Sequence, residues 1–273
     1  MEKGTGPVPE PGNGPFARRA QLRLVNPARN CYNEVILVPM EGGAAMGALT
    51  GLIEHMDWMS MLLFLMSGAA CLICLTVHEL AHGLAAYRLG DPTAKLNGRL
   101  TLNPLSHIDW IGLFLLMAAG VGWAKPVPVD LRNFRRPRQD MALTALAGPG
   151  SNFLLALAAL GTGSLVLRFW SGSRAGAYLL LFLCQLAVLS VGLGLFNLIP
   201  LPPLDGSKVL DVLLPERWYH LVLRYERYLM LAVVLLAWSG AFGGPLTAAM
   251  ELVLRGLCRV AQFPFALVEY YFF

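Results

Sequence analysis

Residues 58–90 read WMSMLLFLMSGAACLICLTVHELAHGLAAYRLG, and this stretch decides the architecture of the chain. No charged side chain occurs between Trp58 and Val77. About 20 apolar residues in a helix span about 30 Å, which is the thickness of the hydrocarbon core of a bilayer. The stretch therefore predicts a membrane-spanning helix that leads directly into a cluster of ionisable residues.

That cluster is the motif His78-Glu79-Leu80-Ala81-His82. Histidines four positions apart lie on the same face of a helix, so both imidazoles can reach one zinc ion. Glu79 is then placed to accept the proton of a zinc-bound water. A motif of five residues also occurs by chance in apolar helices. Only a third ligand on the same side of the membrane distinguishes a metal site from a helix that merely ends there.

The composition predicts a membrane protein. Of 273 residues, 56% are hydrophobic and 14% are charged, whereas about a quarter of the residues in soluble domains are charged. We expect an all-α polytopic protein, with a bundle of about four to six membrane helices. The net charge is +4, and the basic residues lie in loops between apolar segments. They therefore indicate orientation in the membrane, and no nucleic-acid partner is expected.

The chain divides into a Pro/Gly-rich tail, residues 1–40, predicted to be flexible, and a membrane-embedded domain, residues 41–273, with its core at 58–210. Further spans are predicted at 141–167, 177–198 and 229–250, and residues 251–273 are expected at the membrane interface. Residues 110–124 are apolar but short for a crossing. We expect a short β-hairpin or a re-entrant region after the HExxH helix.

Asp205 is the candidate third ligand. It follows a membrane helix whose end is broken by three prolines, and irregular backbone at membrane depth is tolerated where it lines a protein cavity. If residues 110–124 crossed the membrane, Asp205 would lie about 30 Å from His82, on the opposite face. If that segment instead enters and returns, both histidines and Asp205 share one side. The basic loops then face the cytoplasm.

Six motifs occur in a characteristic order across about residues 58–210: TVHELAH (76–82), GDP (90–92), LNP (102–104), GWAKPVPV (122–129), AGPGSN (147–152) and NLIPLPPLDG (197–206). On these motifs the chain resembles the site-2 protease family of intramembrane zinc metalloproteases, in its compact form without a PDZ or CBS domain. The resemblance covers just over half of the chain.

The resemblance implies one zinc ion per chain, held by His78, His82 and Asp205, with Glu79 as the catalytic residue. It also implies that Asn152 and Asn197 lie near the substrate or the oxyanion. The expected activity is hydrolysis of peptide bonds in or near transmembrane segments of membrane proteins. We expect a multi-pass protein of a prokaryotic cell membrane, with the active site towards the cytoplasmic side. A regulatory membrane partner and the oligomeric state are left open.

Several alternatives remain at the level of the sequence. Asn152 can bond across helices, and Asn197 can bind carbonyl groups at the broken helix end. His107 and Asp109 form either a second metal pair or a local turn. For the whole chain, the alternatives are a catalytically silent zinc-binding scaffold or a zinc transporter. The transporter is disfavoured because the ionisable residues gather at one end of the spans.

Overall fold

The computed structural model describes residues 58–110, 125–170, 172–215, 224–225, 228–233, 235–236 and 239–273. The predicted N-terminal tail, residues 1–40, lies outside these ranges, and so does nearly all of the segment 110–124. The division between a tail and a domain that starts at residue 41 therefore stays a prediction.

The described part of the chain is mostly helical. In chain order its helices are α1 (Trp58–Arg88), α2 (Thr93–Leu96), α3 (Pro137–Trp170), α4 (Arg174–Asn197), α5 (Asp205–Leu213), α6 (Gly243–Ala261) and α7 (Phe265–Phe272). Residues 228–233 and 235–236 are also helical, and short 3-10 helices occupy Pro104–His107 and Leu131–Asn133. Apart from an isolated bridge at Ile108, these residues contain no strand, so the predicted β-hairpin is not confirmed.

Three helices in the described ranges are long and apolar enough to cross a membrane. They are the stretches Met61–Leu89, Pro137–Trp170 and Arg174–Asn197, which correspond to α1, α3 and α4. The spans predicted at 141–167 and 177–198 lie in α3 and in α4 with its C-cap residue. The predicted total of four to six spans is not confirmed.

The single helix predicted over residues 229–250 is wrong. The chain turns at residues 239–242, and α6 begins at Gly243. Gly240 has φ +74°, in the left-handed region that favours glycine. The sequence Gly243-Gly244-Pro245 then starts a new helix, since proline is tolerated in the first turn. The apolar composition hid these helix-breaking signals.

Small side chains make up about half of the buried residues where α1, α3 and α4 pack together. Ala70 and Cys74 of α1, Ala156 and Ala159 of α3, and Ala187 of α4 are all buried. Small residues let membrane helices approach closely, so that dispersion and hydrogen bonds hold them together. The antiparallel packing brings the end of α1, the beginning of α3 and the end of α4 to the same end of the bundle.

The C-terminal helices α6 and α7 pack onto this bundle. Leu254, Cys258 and Val268 are buried in the same core as α3 and α4. The ring of Phe263 lies against Gly163, where an added Cβ would be 2.8 Å from that ring. Residues 251–273 therefore pack onto the bundle, and their position at the membrane interface stays a prediction.

The chain on either side of residues 111–124 is joined by a backbone hydrogen bond. The Lys125 N–H donates to the carbonyl oxygen of His107 at 3.0 Å. The two flanks of the segment therefore lie at the same end of the bundle. The prediction that both histidines and Asp205 share one side of the membrane requires this arrangement. The segment itself lies outside the described residues.

Candidate metal centre

The two histidines of the motif lie in the C-terminal half of α1 and are buried. Their rings meet edge to face with centroids 4.6 Å apart, and their Nε2 atoms are 3.0 Å apart. Residues i and i+4 of a helix are neighbours, so α1 alone sets this spacing. His78 and His82 thus present two nitrogen ligands at one point.

Asp205 reaches the histidines through a tight turn between α4 and α5. α4 ends at Asn197, the peptide bond between Pro202 and Pro203 is cis, and Asp205 is the first residue of α5. A Cβ added to Gly206 would lie 2.3 Å from the carbonyl oxygen of Leu198. Only glycine fits this turn, because the neighbouring atom belongs to the backbone and cannot rotate away.

Three ligand atoms converge at the centre of the site. Oδ2 of Asp205 lies 3.1 Å from Nε2 of His78 and 3.1 Å from Nε2 of His82. Among the described residues these side chains form a group that can hold a metal ion. Ligands of tetrahedral zinc, bound at about 2.0–2.2 Å, lie about 3.4 Å apart, and two imidazoles with one carboxylate leave a fourth position open. The geometry and the donor set both fit a catalytic zinc ion.

Helix α3 forms the wall behind the histidines, with Thr144, Gly148 and Asn152 spaced four apart on one face. The carbonyl oxygen of Thr144 lies 2.8 Å from Nδ1 of His82. A Cβ added to Gly148 would lie 2.4 Å from Nε2 of His82 and 2.7 Å from Cε1 of His78. Asn152 Nδ2 lies 3.3 Å from Nδ1 of His78. This face therefore fixes how both rings are oriented.

Glu79 faces the cavity that the three ligands share. Its Oε2 atom accepts a hydrogen bond from the backbone N–H of Val127 at 2.9 Å. We call residues 125–134 the covering segment, because part of it forms one wall of this cavity. The cavity is lined by His78, Glu79, His82, Pro126, Val127, Val129, Met141, Thr144, Ala145, Asn197, Pro203 and Asp205.

Arg99 holds the beginning of the covering segment. This side chain is buried, and its Nη2 donates to the carbonyl oxygen of Lys125 at 2.7 Å and to that of Pro126 at 3.3 Å. A guanidinium group carries several donors in a fixed plane, so it can bind two neighbouring carbonyls at once. The backbone at Val127 is thereby held against Glu79.

Asp91 holds the other end of the covering segment. Its buried carboxylate accepts from the backbone N–H of Asp130 at 2.8 Å, from Asn133 Nδ2 at 2.7 Å and from the backbone N–H of Thr93 at 3.0 Å. Burial by itself would raise the pKa of this carboxyl. The hydrogen bonds outweigh burial and hold the pKa of Asp91 below its usual value.

The remaining predicted residues lie at different distances from the cavity. Asn197 lines it, with its Nδ2 donating to the carbonyl oxygen of Leu193 at 3.0 Å. Asn152 is buried behind the histidines and is not part of the cavity lining. His107 is buried and bonds the carbonyl oxygen of Thr101 at 3.0 Å, which agrees with the local-turn interpretation.

Sequence reasoning assigned no role to Thr144 or Gly148, and it considered Arg99 and Val127 only as parts of two edges, residues 99–102 and 126–129, against which a substrate strand could dock. The AGPGSN motif contains Gly148, and its position four residues before Asn152 was the one available signal that both lie on the same helix face. Arg99 begins a short stretch, residues 99–102, that was predicted to be β-like, and nothing in that pattern indicates its contacts with Lys125 and Pro126. Val127 and Thr144 make these contacts through backbone atoms, which every residue type has. Such contacts cannot be predicted from the side chain at that position.

Comparison with known proteins points to a family of peptidases. A family model described as Peptidase family M50 matches residues 162–239, a stretch that includes Asn197 and Asp205. "Putative zinc metalloprotease YwhC" of Bacillus subtilis (strain 168) is 45% identical over 148 residues, which cover 53% of this chain and 67% of that protein.

Two mycobacterial relatives are each named "Putative zinc metalloprotease Rip2". The protein of Mycolicibacterium smegmatis is 31% identical over 182 residues, covering 65% of this chain and 67% of that protein. The protein of the Erdman strain of Mycobacterium tuberculosis is 32% identical over 184 residues, covering 61% of this chain and 67% of that protein. No solved structure matches the chain.

The chain belongs to peptidase family M50. It is a zinc metalloprotease of the site-2 type, and the predicted family resemblance is confirmed. The similarity to these relatives supports zinc as the metal, and the group of His78, His82 and Asp205 offers a position for it.

Proposed function

We propose that this M50 peptidase hydrolyses peptide bonds in or beside transmembrane segments of membrane proteins. In this proposal one zinc ion per chain is held by His78, His82 and Asp205, and Glu79 transfers protons. The observation that carries it is the convergence of the three ligand atoms at one end of helices that are long enough to cross a membrane. Because the site lies among such helices, the peptide segments that can reach it most directly are the transmembrane segments of other membrane proteins.

The distribution of arginines supports a site on the cytoplasmic side of a prokaryotic cell membrane. Arg132, Arg135 and Arg136 are exposed directly before α3, at the same end of the bundle as the ligands. Arg168 and Arg174 lie at the opposite end, where α3 meets α4. Basic residues are in excess on the cytoplasmic side of membrane proteins. The relatives reported above come from bacteria.

The chemistry follows from the residue types around the cavity. A zinc ion held by His78, His82 and Asp205 would act as a Lewis acid towards the peptide carbonyl and the attacking water. Glu79 accepts the proton of the attacking water and delivers it to the leaving amine. The Val127 N–H holds Oε2 of Glu79, so the carboxylate is oriented before the substrate arrives. Asn197, on the cavity wall, is a candidate donor to the oxyanion.

A helical substrate presents no free carbonyl, because its backbone groups bond to one another. It must therefore unwind locally, and we expect substrates to contain helix-weakening residues near the cut. The covering segment includes Pro126 and Pro128, which favour extended backbone. An unwound peptide can dock against such a segment, which places its carbonyl in the cavity.

The test is the variant Glu79→Gln, purified in detergent and assayed with a single-span membrane peptide. We expect its cleavage rate to fall about 10²- to 10⁴-fold, because general acid–base catalysis is lost while the ligands remain. Its zinc content should equal that of the unmodified chain. The matched control is Glu251→Gln, which removes a surface carboxylate paired with Arg255 on α6 and should leave cleavage unchanged.

Two results would contradict the proposed activity. The first is an unmodified chain that retains zinc yet cleaves none of a panel of membrane peptides, which would favour the silent scaffold. The second is zinc flux into vesicles that contain the chain, which would favour transport. Cleavage by the Glu79→Gln variant at the unmodified rate would remove Glu79 from the mechanism.

A further inference from the structure

Asn152 is fully buried in α3 and faces the ring of His78. Its Nδ2 atom lies 3.3 Å from Nδ1 of that ring, and within the described part of the chain its Oδ1 has no hydrogen-bond partner. The hydroxyl of Ser190 on α4 donates to the backbone carbonyl of Asn152 at 2.9 Å. The backbone at Asn152 is therefore tied to α4, while its buried side-chain amide lies beside the His78 ring of α1.

The two nitrogens of His78 have different tasks. Nε2 faces Asp205 and His82, so it is the atom that can bind the metal. An imidazole that binds a metal through Nε2 carries its proton on Nδ1, and this Nδ1–H then needs an acceptor. The group within reach is the Asn152 amide, whose oxygen and nitrogen exchange places by a rotation of 180°.

His82 shows the same arrangement with a backbone group. Its Nδ1 lies 2.8 Å from the carbonyl oxygen of Thr144, which can only accept a hydrogen bond. That contact places the proton on Nδ1 and leaves Nε2 free for a metal. Thr144 and Asn152 lie on one face of α3, so each histidine has one partner behind it, and the two partners are two helical turns apart.

We propose that Asn152 is a positioning residue for His78, whose side-chain oxygen accepts the Nδ1–H when Nε2 binds zinc. This proposal rests on the proposed zinc ligation by His78, and it assigns Asn152 to the metal rather than to the substrate. The location of Asn152 supports this assignment. Asn152 lies behind the ring and does not line the cavity, whereas Asn197 does.

The experiment compares zinc affinity in detergent, by competition with a chelator, for Asn152→Leu and Asn152→Asp. Leucine has nearly the same shape but no acceptor, and we expect zinc affinity to fall about 10- to 100-fold, as for other partners of metal-binding histidines. Aspartate keeps an oxygen at Nδ1 and should restore the affinity to within about threefold of the unmodified chain.

The matched control is Gln185→Met, which removes another buried amide from the same bundle. Gln185 on α4 bonds Ser67 of α1, far along the helix from the histidines. Its replacement should leave zinc affinity unchanged. If Asn152→Leu does not give monodisperse protein, Asn152→Ala replaces it, with the same expected loss of affinity.

An unmodified zinc affinity in the leucine or alanine variant would overturn the proposal. Loss of cleavage by both the leucine and the aspartate variants, with zinc affinity intact, would instead assign Asn152 to the substrate or the oxyanion. Failure of the unmodified chain to bind zinc is a separate result, because it would overturn the proposed function itself. A zinc affinity that is lost in the Asn152→Leu variant and restored in the Asn152→Asp variant supports the positioning role.

Discussion

On one side of the metal centre α1 packs against α3, and the histidine rings are held by a carbonyl group, a glycine and a buried amide. On the other side the covering segment approaches Glu79 as irregular backbone. Its position depends on a few hydrogen bonds: one that the Val127 N–H donates to Glu79, two that Arg99 donates to backbone carbonyls, and two that Asp91 accepts. The two histidine ligands thus belong to the helical side, and the proton-transfer group contacts the irregular side.

This difference has a physical reason. A zinc ion requires its ligands at fixed distances, and two helices that interlock through small residues supply that rigidity. A substrate must enter the cavity and leave it, so the wall it meets cannot be interlocked in the same way. Hydrogen bonds of an irregular segment can be exchanged for bonds to a peptide at little net cost. Changes on the helical side should therefore affect metal binding, and changes in the covering segment should affect cleavage or stability.

The largest effect is expected for Gly148→Ala on the helical side. The new Cβ would lie within 2.7 Å of both rings, which are held in place by α3 and cannot both move away. We expect zinc affinity and the cleavage rate each to fall about 100-fold or more, since a displaced ligand loses most of its binding energy. Chelator competition and the peptide assay measure the two quantities.

The matched control is Gly161→Ala in the same helix, where an added Cβ meets nothing within 4 Å. This variant should bind zinc normally and unfold at an equal or higher temperature, because alanine favours a helix over glycine by about 0.5–1 kcal/mol. Equal zinc affinity in both variants would show that the wall of α3 is not rigid.

An intermediate effect is expected for Val127→Pro in the covering segment. Proline has no N–H, so the hydrogen bond to Glu79 is lost while the extended backbone is kept. We expect cleavage to fall about 10- to 100-fold, because a hydrogen bond to a charged group contributes about 1.5–3 kcal/mol and about 1.4 kcal/mol corresponds to a factor of ten. Zinc affinity should not change. Val127→Ala keeps the N–H and should cleave at nearly the unmodified rate, and equal losses in the two variants would contradict this role.

The smallest effect is expected for Asp91→Asn, measured by thermal unfolding in detergent between pH 3 and pH 7. The folded-state pKa of Asp91 lies below its usual value, so its contribution to stability is complete above about pH 4 and is lost as the pH falls further. At neutral pH we expect the variant to unfold a few degrees lower, with cleavage nearly unchanged.

The variant Asp91→Asn should also show less loss of stability below pH 4 than the unmodified chain does. Asp130→Asn serves as the control, because the backbone N–H of Asp130 still reaches Asp91 in that variant. Its unfolding temperature should change less than that of Asp91→Asn. If the unfolding temperature depends on pH in the same way in the Asp91→Asn variant and in the unmodified chain, Asp91 does not hold the covering segment.

Sequence reasoning predicted the features that are local along the chain. The span ending in His78 and His82 follows from apolar length and from the period of the helix. The broken end of α4 before Asp205 follows from its prolines. The same reasoning failed at residues 239–242, because apolar composition was weighed above the glycines that start a new helix.

The contacts between distant parts of the chain were beyond that reasoning. The bond from Val127 to Glu79 joins residues 48 positions apart, and the contact of Asn152 with His78 joins residues 74 positions apart. Neither has a periodic signature, because each depends on how two segments pack and one of them uses a backbone atom. Motif resemblance gave Asn152 a place near the substrate, and only its buried position behind His78 suggests a different role.

The sequence by itself determined the long apolar helices, the histidine pair and the family to which the chain belongs. The tertiary structure decided which carbonyl, which amide and which backbone N–H face each functional side chain. It also brought Asp205 to the histidines across 127 positions of sequence. Residue type and local period set what a single helix can present, whereas the partner of a buried polar group is set by the packing of helices against one another.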